Sequence, residues 1–454
     1  MSFVSINPKN EEIFFEAREY TNEQIKEIIE TSNKSQLRWK EFSIDKKADL
    51  FKNIAILLNK KEDLYAKLIT DEMGKPIVQA SAEIKKCAWL CEYYANHAKQ
   101  FLCELPIETD YKKATVYFEP LGVILGIMPW NFPFWQVFRF SVPAMLAGNG
   151  AILKHSPNVS MCALEIEKLF VEAQFPEKLF STVLASIEST SLIIENKHIQ
   201  GVSLTGGTIA GKAVAALAGK SLKKTVLELG GLDPYIIMED ADIEKSAESC
   251  IAGRLLNAGQ SCIAAKRFIV HEKIYDKFVE LFAEKMKSKT LGDPLENCDL
   301  GPLAREDLRD NIHGLVEKSV SMGAKLVTGG KIPDMKGYYY PPTLLADIQR
   351  NMPVWQEETF GPAAAVVKYK TEEEAVLLAN DTVYGLGAAI FSRDIERAER
   401  IAVKQINAGN CFINDFVKSD PKLPFGGVKE SGYGRELSTF GIREFVNIKT
   451  VVVN

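Results

Sequence analysis

Between residues 121 and 230 the chain alternates short β-branched runs with helix-length stretches, and this rhythm constrains the fold more than any other feature. VILGIM, AILK, STVLAS, GVSLTG and TVLEL are apolar runs that stop at polar or glycine positions. Segments such as NVSMCALEIEKLFVEA and TIAGKAVAALAGK separate most of them. Buried strands joined by helices predict a parallel sheet in a doubly wound α/β domain. The pattern restarts after GGLDP: DPYIIMED reads as a strand, DADIEKSAESCIAGRLLN as a helix opened by an aspartate, and RFIV as the next strand. AKLVTGG, AAAVVKY and AAIF continue in the same style to about residue 411. This is a second α/β domain, as expected for 454 residues, too many for one core. Upstream of both, the N-terminal part reads as helical, with Thr21 and Gln24 forming a capping box. The final NIKTVVVN is a strand with no neighbour in sequence, and such an edge commonly pairs with another chain.

Composition excludes several function classes. A formal charge of −5 lacks the basic excess of a nucleic-acid binder. MSFVSINPKNEEIFF has no basic segment leading into an apolar one, so no secretory signal is read. FPFWQVFRFSVPAMLA is too short for a membrane span and carries Arg139 and internal prolines. A soluble, cytoplasmic protein is expected. No pair of the eight cysteines has CxxC spacing and the five histidines are scattered, so no metal site is predicted. Cys87 and Cys91, four apart, share a helix face. Free thiols are expected.

Ligands of an open parallel sheet bind beyond the carboxyl ends of its strands. Trp130 and Asn131 follow VILGIM, Lys154 closes AILK, Gly206 and Gly207 follow VSLT, and Glu228 lies near the end of TVLEL. Parallel strands would bring these groups to one crevice, with a glycine pair at a helix start suited to phosphate. The thiol that stands out is Cys262, in the small-residue loop NAGQSCIAAKR rather than in a core run. Each residue alone has a structural explanation: a paired carboxylate for Glu228, a turn before Pro133 for Asn131, a small strand-leading residue for Cys262. Together they supply a thiol, a carboxylate, an amide donor and a nucleotide-like site.

WNFP at 130–133, LELGG at 227–231, GQSC at 259–262, EETFGP at 357–362 and PFGGVKESGYGRE at 424–436 resemble the aldehyde dehydrogenase superfamily, in order and spacing over essentially the whole chain. KSDPKLPFGGVKESGYGREL is most similar to its short succinate-semialdehyde dehydrogenases. The resemblance implies an NAD(P)-binding domain from residues 1–103 and 119–230, a catalytic domain over 231–411, and an oligomerisation extension from 104–118 and 440–454. Residues 412–439 would return to the cofactor domain and border the active site. A homodimer, or a dimer of dimers, is the implied assembly.

The same resemblance assigns roles. Cys262 would attack the aldehyde carbon to give a thiohemiacetal. Asn131 and the Cys262 backbone N–H would hold the oxyanion. After hydride leaves for the nicotinamide, Glu228 would activate water against the thioester. Lys154 would meet the adenine ribose and Glu358 the nicotinamide ribose, with Phe360, Trp130, Thr205 and Leu229 nearby. Gly206, Gly207 and Gly211 would line the pyrophosphate turn, although Gly207 stands where relatives often carry a serine. Pro157 replaces a glutamate common in NAD-preferring relatives, and an acid there would repel a 2′-phosphate, so NADP is favoured over NAD.

Arg139 is the only cation between Tyr117 and Lys154, and a buried guanidinium requires an anion. That anion is either a structural carboxylate or the distal carboxylate of a semialdehyde. The resemblance favours the second, with help from Ser419 and Phe425. The reading is thus a hydrolytic succinate-semialdehyde dehydrogenase, with a broader aliphatic or glutarate-semialdehyde enzyme as alternative. A CoA-acylating enzyme is disfavoured because Glu228 can activate water. A non-catalytic scaffold or stress protein is the alternative of another class; Cys262, Glu228 and Asn131 argue against it.

Overall fold

The computed structural model describes residues 2–454. The alternating runs form a six-stranded sheet in the order 432–433, 224–228, 199–205, 123–128, 150–155 and 180–182. Every pairing is parallel except that of Gly432–Tyr433, which lies antiparallel to Lys224–Glu228. Strand order reverses at Val123–Met128: the next strand, Gly150–His155, lies on one side of it and Ile199–Thr205 on the other. A reversal of this kind opens a crevice at the strand ends. Here those ends lead into Trp130, Asn131, Gly206 and Gly207.

The second set of runs forms a seven-stranded sheet, ordered 325–328, 343–346, 363–369, 267–271, 234–237, 387–391 and 410–413. The expected parallel pattern holds for six of these strands. Lys325–Thr328 departs from it, running antiparallel to Thr343–Ala346 at the sheet edge. Its side chains are exposed or half-buried, so no helix layer fixes its direction by burial. The largest core cluster surrounds this sheet, and a second packs the helices Ile77–Phe101 and Trp135–Leu146 against the first sheet. Among the described residues no helix is long and apolar enough to cross a membrane.

Local rules account for how these elements start. Thr21 Oγ1 accepts from the Gln24 amide at 3.2 Å and Gln24 Oε1 accepts from the Thr21 amide at 2.8 Å, the reciprocal box expected of that spacing. Asp242 caps Ile243–Leu255 through the Lys245 amide. The glycine of VILGIM has a packing reason: a Cβ on Gly126 would lie 2.1 Å from the Phe140 ring. Only a bare backbone lets the helix Trp135–Leu146, which carries Arg139, lie this close to the strand.

Two terminal regions lie outside the two large sheets. Before the first helix, Ser2–Asn7 and Glu12–Arg18 form an antiparallel hairpin. Phe3 is buried while most of the second strand is exposed, so its outer face shows little of the alternation that marks a strand. At the other end, Val446–Val453 does find a partner within the chain. It pairs antiparallel with Lys113–Pro120, which also pairs with Leu105–Pro106. Its outer edge remains open, with Ile448, Val451, Val452 and Val453 exposed.

Candidate active site

The loop that carries Cys262 owes its shape to two buried cations. Asn257, Ala258 and Gly259 all have left-handed φ, 54°, 52° and 73°, an arrangement costly for the first two. At Gly259 a Cβ would also meet the Gly361 carbonyl at 2.4 Å. The turn is held by Arg254, whose Nη2 donates to the carbonyls of Gly259 at 2.8 Å and Gly361 at 2.7 Å. Its Nη1 donates to Ala265 O at 2.9 Å. Burial brings the guanidinium down to about 9, which leaves it protonated at neutral pH. Lys266 holds the next stretch, donating to Ser261 O at 3.0 Å, Cys262 O at 2.6 Å and Ala264 O at 3.2 Å.

With these carbonyls turned to cations, the Cys262 amide N–H has no acceptor among the described residues. It is left for a ligand. Replacing Arg254 by methionine should strip several buried carbonyls of their donor and destabilise the fold by about 3 kcal/mol or more. Thermal unfolding checks this together with turnover, and both should fall. An unchanged midpoint with full activity would show that the loop does not depend on the cation.

Cys262 lies on the wall of a cavity of about 160 Å³, beside Arg139, Lys86, Ser419, Phe425 and Trp135. The structure therefore brings the sequence-predicted nucleophile and all three predicted substrate residues to one chamber. Burial pushes the Cys262 thiol up to about 12, against the opposing pull of Arg139 and Lys266. At neutral pH the sulfur carries its proton until a base removes it.

Asn131 stands beside the loop rather than on the cavity wall. Its Nδ2 donates to Gln260 O at 3.0 Å, which fixes the amide and leaves its second N–H uncommitted. Glu228 is buried, and neither of its carboxylate oxygens has a hydrogen-bond partner among the described residues. Burial, and after it the nearby Glu436, holds the Glu228 carboxyl well above the usual carboxylate range, with Arg139 and Arg435 pulling the other way. A buried carboxylate without a donor is costly to ionise, so Glu228 waits as an acid until water or a base reaches it.

Arg139 is 2% exposed and stands in ion-pair contact with Glu436, itself 4% exposed. Its Nη2 also donates to Thr205 Oγ1 at 3.3 Å, and its guanidinium lies 4.9 Å from the Phe425 ring centre. Of the two anions the sequence left open for Arg139, the chain itself supplies the structural one. Glu436 lay in plain view inside the GYGRE motif, yet nothing in its spacing marked Arg139 as its partner.

The residues expected to meet the cofactor lie off the chamber wall. The helix Thr208–Lys220 begins at Gly207 with no side-chain cap, and a Cβ on Gly207 would meet nothing within 4 Å. Gly206 is almost as open, its nearest neighbour being Leu204 at 3.9 Å. The protein's own packing needs neither glycine, whereas an anion at the uncapped amides would use the space. Gly211 differs, because a Cβ there would strike Leu229 at 2.5 Å; its bareness serves helix–sheet packing. Lys154 is half-buried with no carboxylate or hydrogen-bond partner among the described residues, and burial lowers its pKa. Pro157 is exposed at the start of a short 3-10 helix. Glu358 accepts from the Gly231 amide at 3.0 Å and faces Lys266 at 3.6 Å. Phe360 and Trp130 meet edge to face, 5.7 Å between centres.

A thiol on a chamber wall, a free amide beside it, an unpartnered carboxylate, an uncapped helix start and a lysine without a counter-ion are the groups the site offers. A profile of the aldehyde dehydrogenase family matches residues 1–451. The chain belongs to the aldehyde dehydrogenase family. Among relatives, it is 44% identical over 449 residues to the succinate semialdehyde dehydrogenase [NAD(P)+] Sad of Escherichia coli, covering 99% of this chain and 97% of that one. It is 41% identical over 452 residues to a probable succinate-semialdehyde dehydrogenase [NADP(+)] of Synechocystis sp., covering 99% of each. The crystal structure of a succinic semialdehyde dehydrogenase from Streptococcus pyogenes in complex with NADP+ superposes with a TM-score of 0.97 at 36% identity, covering 99% of both chains. This aldehyde dehydrogenase is thus an α/β enzyme of the fold its sequence pattern predicted.

The positioning residues Arg254, Lys266 and Glu436, and the cavity residue Lys86, escaped the sequence reading. Lys86 follows Lys85 directly, and only the helix's orientation separates them. Lys85 is exposed and pairs with Glu62 at 3.0 Å, while Lys86 turns into the chamber.

Proposed function

We propose that this aldehyde dehydrogenase oxidises succinate semialdehyde to succinate, with NADP preferred over NAD. The observation that carries the proposal is the chamber: Cys262 is the only cysteine on its wall, and the same wall carries three cations, Lys86, Arg139 and Lys418, suited to a carboxylated aldehyde. Its 160 Å³ suits a small guest; an apolar cavity of roughly 150 Å³ accepts a benzene-sized one. The names of the relatives support the same substrate class and cofactor. The open amides at Gly207 and the unpartnered Lys154 fit a dinucleotide, and with Pro157 no carboxylate opposes a 2′-phosphate at that position. Lys154, Glu358 and the Gly206–Gly207 turn would hold the cofactor, whose nicotinamide supplies the hydride acceptor when bound.

The chain's own groups carry the remaining work. Sγ of Cys262 forms a C–S bond to the aldehyde carbon as the C=O π pair moves onto oxygen, and the thiol proton passes through water to that oxygen, giving a thiohemiacetal. The oxygen that gains charge is met by the Cys262 amide and the free N–H of Asn131, donors fixed before reaction. The oxidised adduct is a thioester on Cys262. Water attacks it, Glu228 takes the water's proton, the C–S bond breaks and succinate leaves. The proposed division of the chain gives the cofactor to the first sheet and the thiol to the second, with residues 412–439 closing the site between them.

Initial rates of NADPH and NADH formation with succinate semialdehyde, glutarate semialdehyde and butanal test the proposal. NADP and succinate semialdehyde should give the highest kcat/KM. Equal rates on butanal would make this a broader aliphatic enzyme, and faster glutarate semialdehyde turnover would lengthen the substrate by one carbon. NAD turnover at or above that with NADP would overturn the cofactor preference alone.

A further inference from the structure

Three cations line the chamber, and only one of them lacks a protein anion. Lys418 pairs with Asp415 at 2.5 Å. Arg139 is neutralised by Glu436, in a pair buried on both sides. Lys86, projecting from the helix Ile77–Phe101, donates to Ser419 Oγ at 2.9 Å and lies 4.2 Å from the centre of the Trp135 ring. Among the described residues no carboxylate stands within ion-pair distance of its ammonium. The two acids near enough to influence it are engaged elsewhere. Glu83 is in ion-pair contact with Lys75 and accepts from the Phe134 and Trp135 amides, each at 2.9 Å. Asp420 accepts from the Lys422 amide at 2.8 Å.

We propose that Lys86, with Ser419, is the group that recognises the distal carboxylate of the substrate and so selects semialdehydes over simple aliphatic aldehydes. The inference rests on the semialdehyde function proposed above and names the residue behind it.

The arrangement is suited to this task. An ion-paired guanidinium presents little net charge, whereas an unpaired ammonium on an apolar-walled chamber attracts an anion strongly. Burial, with Arg139 adding repulsion, draws Lys86 down to about 8, as expected of a cation lacking its counter-ion. An arriving carboxylate would supply that counter-ion. Ser419 accepts from Lys86, which leaves its own O–H free to donate to the second carboxylate oxygen. The Trp135 face holds the ammonium in place without consuming its remaining N–H groups. Arg139 cannot be tested as cleanly. Removing it would leave Glu436 buried and unpaired beside Glu228, which disturbs every substrate alike.

The test compares kcat/KM for succinate semialdehyde and butanal in wild type, Lys86→Met and Lys86→Arg, with succinate as a competitive inhibitor. Lys86→Met should cut the semialdehyde-to-butanal ratio by about 10- to 100-fold, as expected for one charge-assisted contact. The loss should fall chiefly on KM, with a parallel rise in the succinate inhibition constant. Lys86→Arg should restore part of both. If Lys86→Met does not fold, Lys86→Gln serves in its place. A wild-type preference that survives both neutral variants overturns the role of Lys86 and leaves the proposed function standing. A wild type with no preference overturns the proposed function itself, and the selection by Lys86 with it.

Discussion

Cys262→Ala should abolish aldehyde oxidation, lowering kcat by about 10⁴-fold or more, while the protein stays folded. The expectation follows from position rather than from the presence of a thiol. Of the eight cysteines, Cys87, Cys91, Cys162 and Cys250 are buried, Cys103 is exposed, and Cys298 and Cys411 lie off the chamber. No other sulfur can take over. The fold should tolerate the change because Cys262 faces the cavity and its loop is held by backbone carbonyls on Arg254 and Lys266. A shortened side chain removes none of those bonds, so the thermal midpoint should shift by no more than about 1 kcal/mol in stability. Cofactor binding, followed by fluorescence quenching, should persist. Turnover at even a tenth of the wild-type rate would refute the nucleophile, and loss of the folded state would shift the explanation to the loop.

The division between what was legible in the sequence and what was not follows the range of the interactions. Periodicity of two and of 3.6 is local, so five strands of each sheet could be read, as could the capping box at Thr21, whereas the short strands Thr343–Ala346, Asn410–Ile413 and Gly432–Tyr433 could not. Strand direction at the edge, as in Lys325–Thr328, depends on what covers the sheet, and no short window contains that. The partner of Val446–Val453 lies more than three hundred residues upstream in Lys113–Pro120. Within the site, Cys262, Asn131 and Glu228 stood out because they sit at strand ends and loop turns, in motifs that resemble those of the family. Arg254 and Lys266 did not, since Arg254 binds only carbonyls, and Lys266 adds to its carbonyls only Glu358, which is about ninety residues away. Arg139 was visible as an isolated charge, but its partner Glu436 is nearly three hundred positions away. Lys86 was hidden beside Lys85, for only tertiary packing makes one a surface charge and the other a wall of the chamber.

The burial that hides Glu228 also sets how it must work. Glu228→Gln should still give one round of cofactor reduction per active site, then slow to a steady rate about 10²- to 10⁴-fold below wild type. The burst is expected because thiohemiacetal formation and its oxidation use Cys262 and the oxyanion donors, all of which remain. The slow phase follows because an amide cannot accept the proton of the attacking water. Gln is nearly isosteric, and its amide would occupy a place where neither Glu228 oxygen has a donor, so folding should be little changed. The pH profile supplies an independent check. A general base acts in its deprotonated form, and burial together with Glu436 raises the Glu228 pKa well above the ordinary carboxylate range. Wild-type steady-state turnover should therefore rise with pH through a window displaced upward from that of a solvated glutamate. In Glu228→Gln this limb of the profile should vanish, leaving only limbs that belong to other groups. Stopped-flow absorbance at 340 nm across the pH range reads burst and steady state together. Loss of the burst along with turnover would place Glu228 earlier in the reaction, as the base that takes the proton from the Cys262 thiol, which burial holds at about 12.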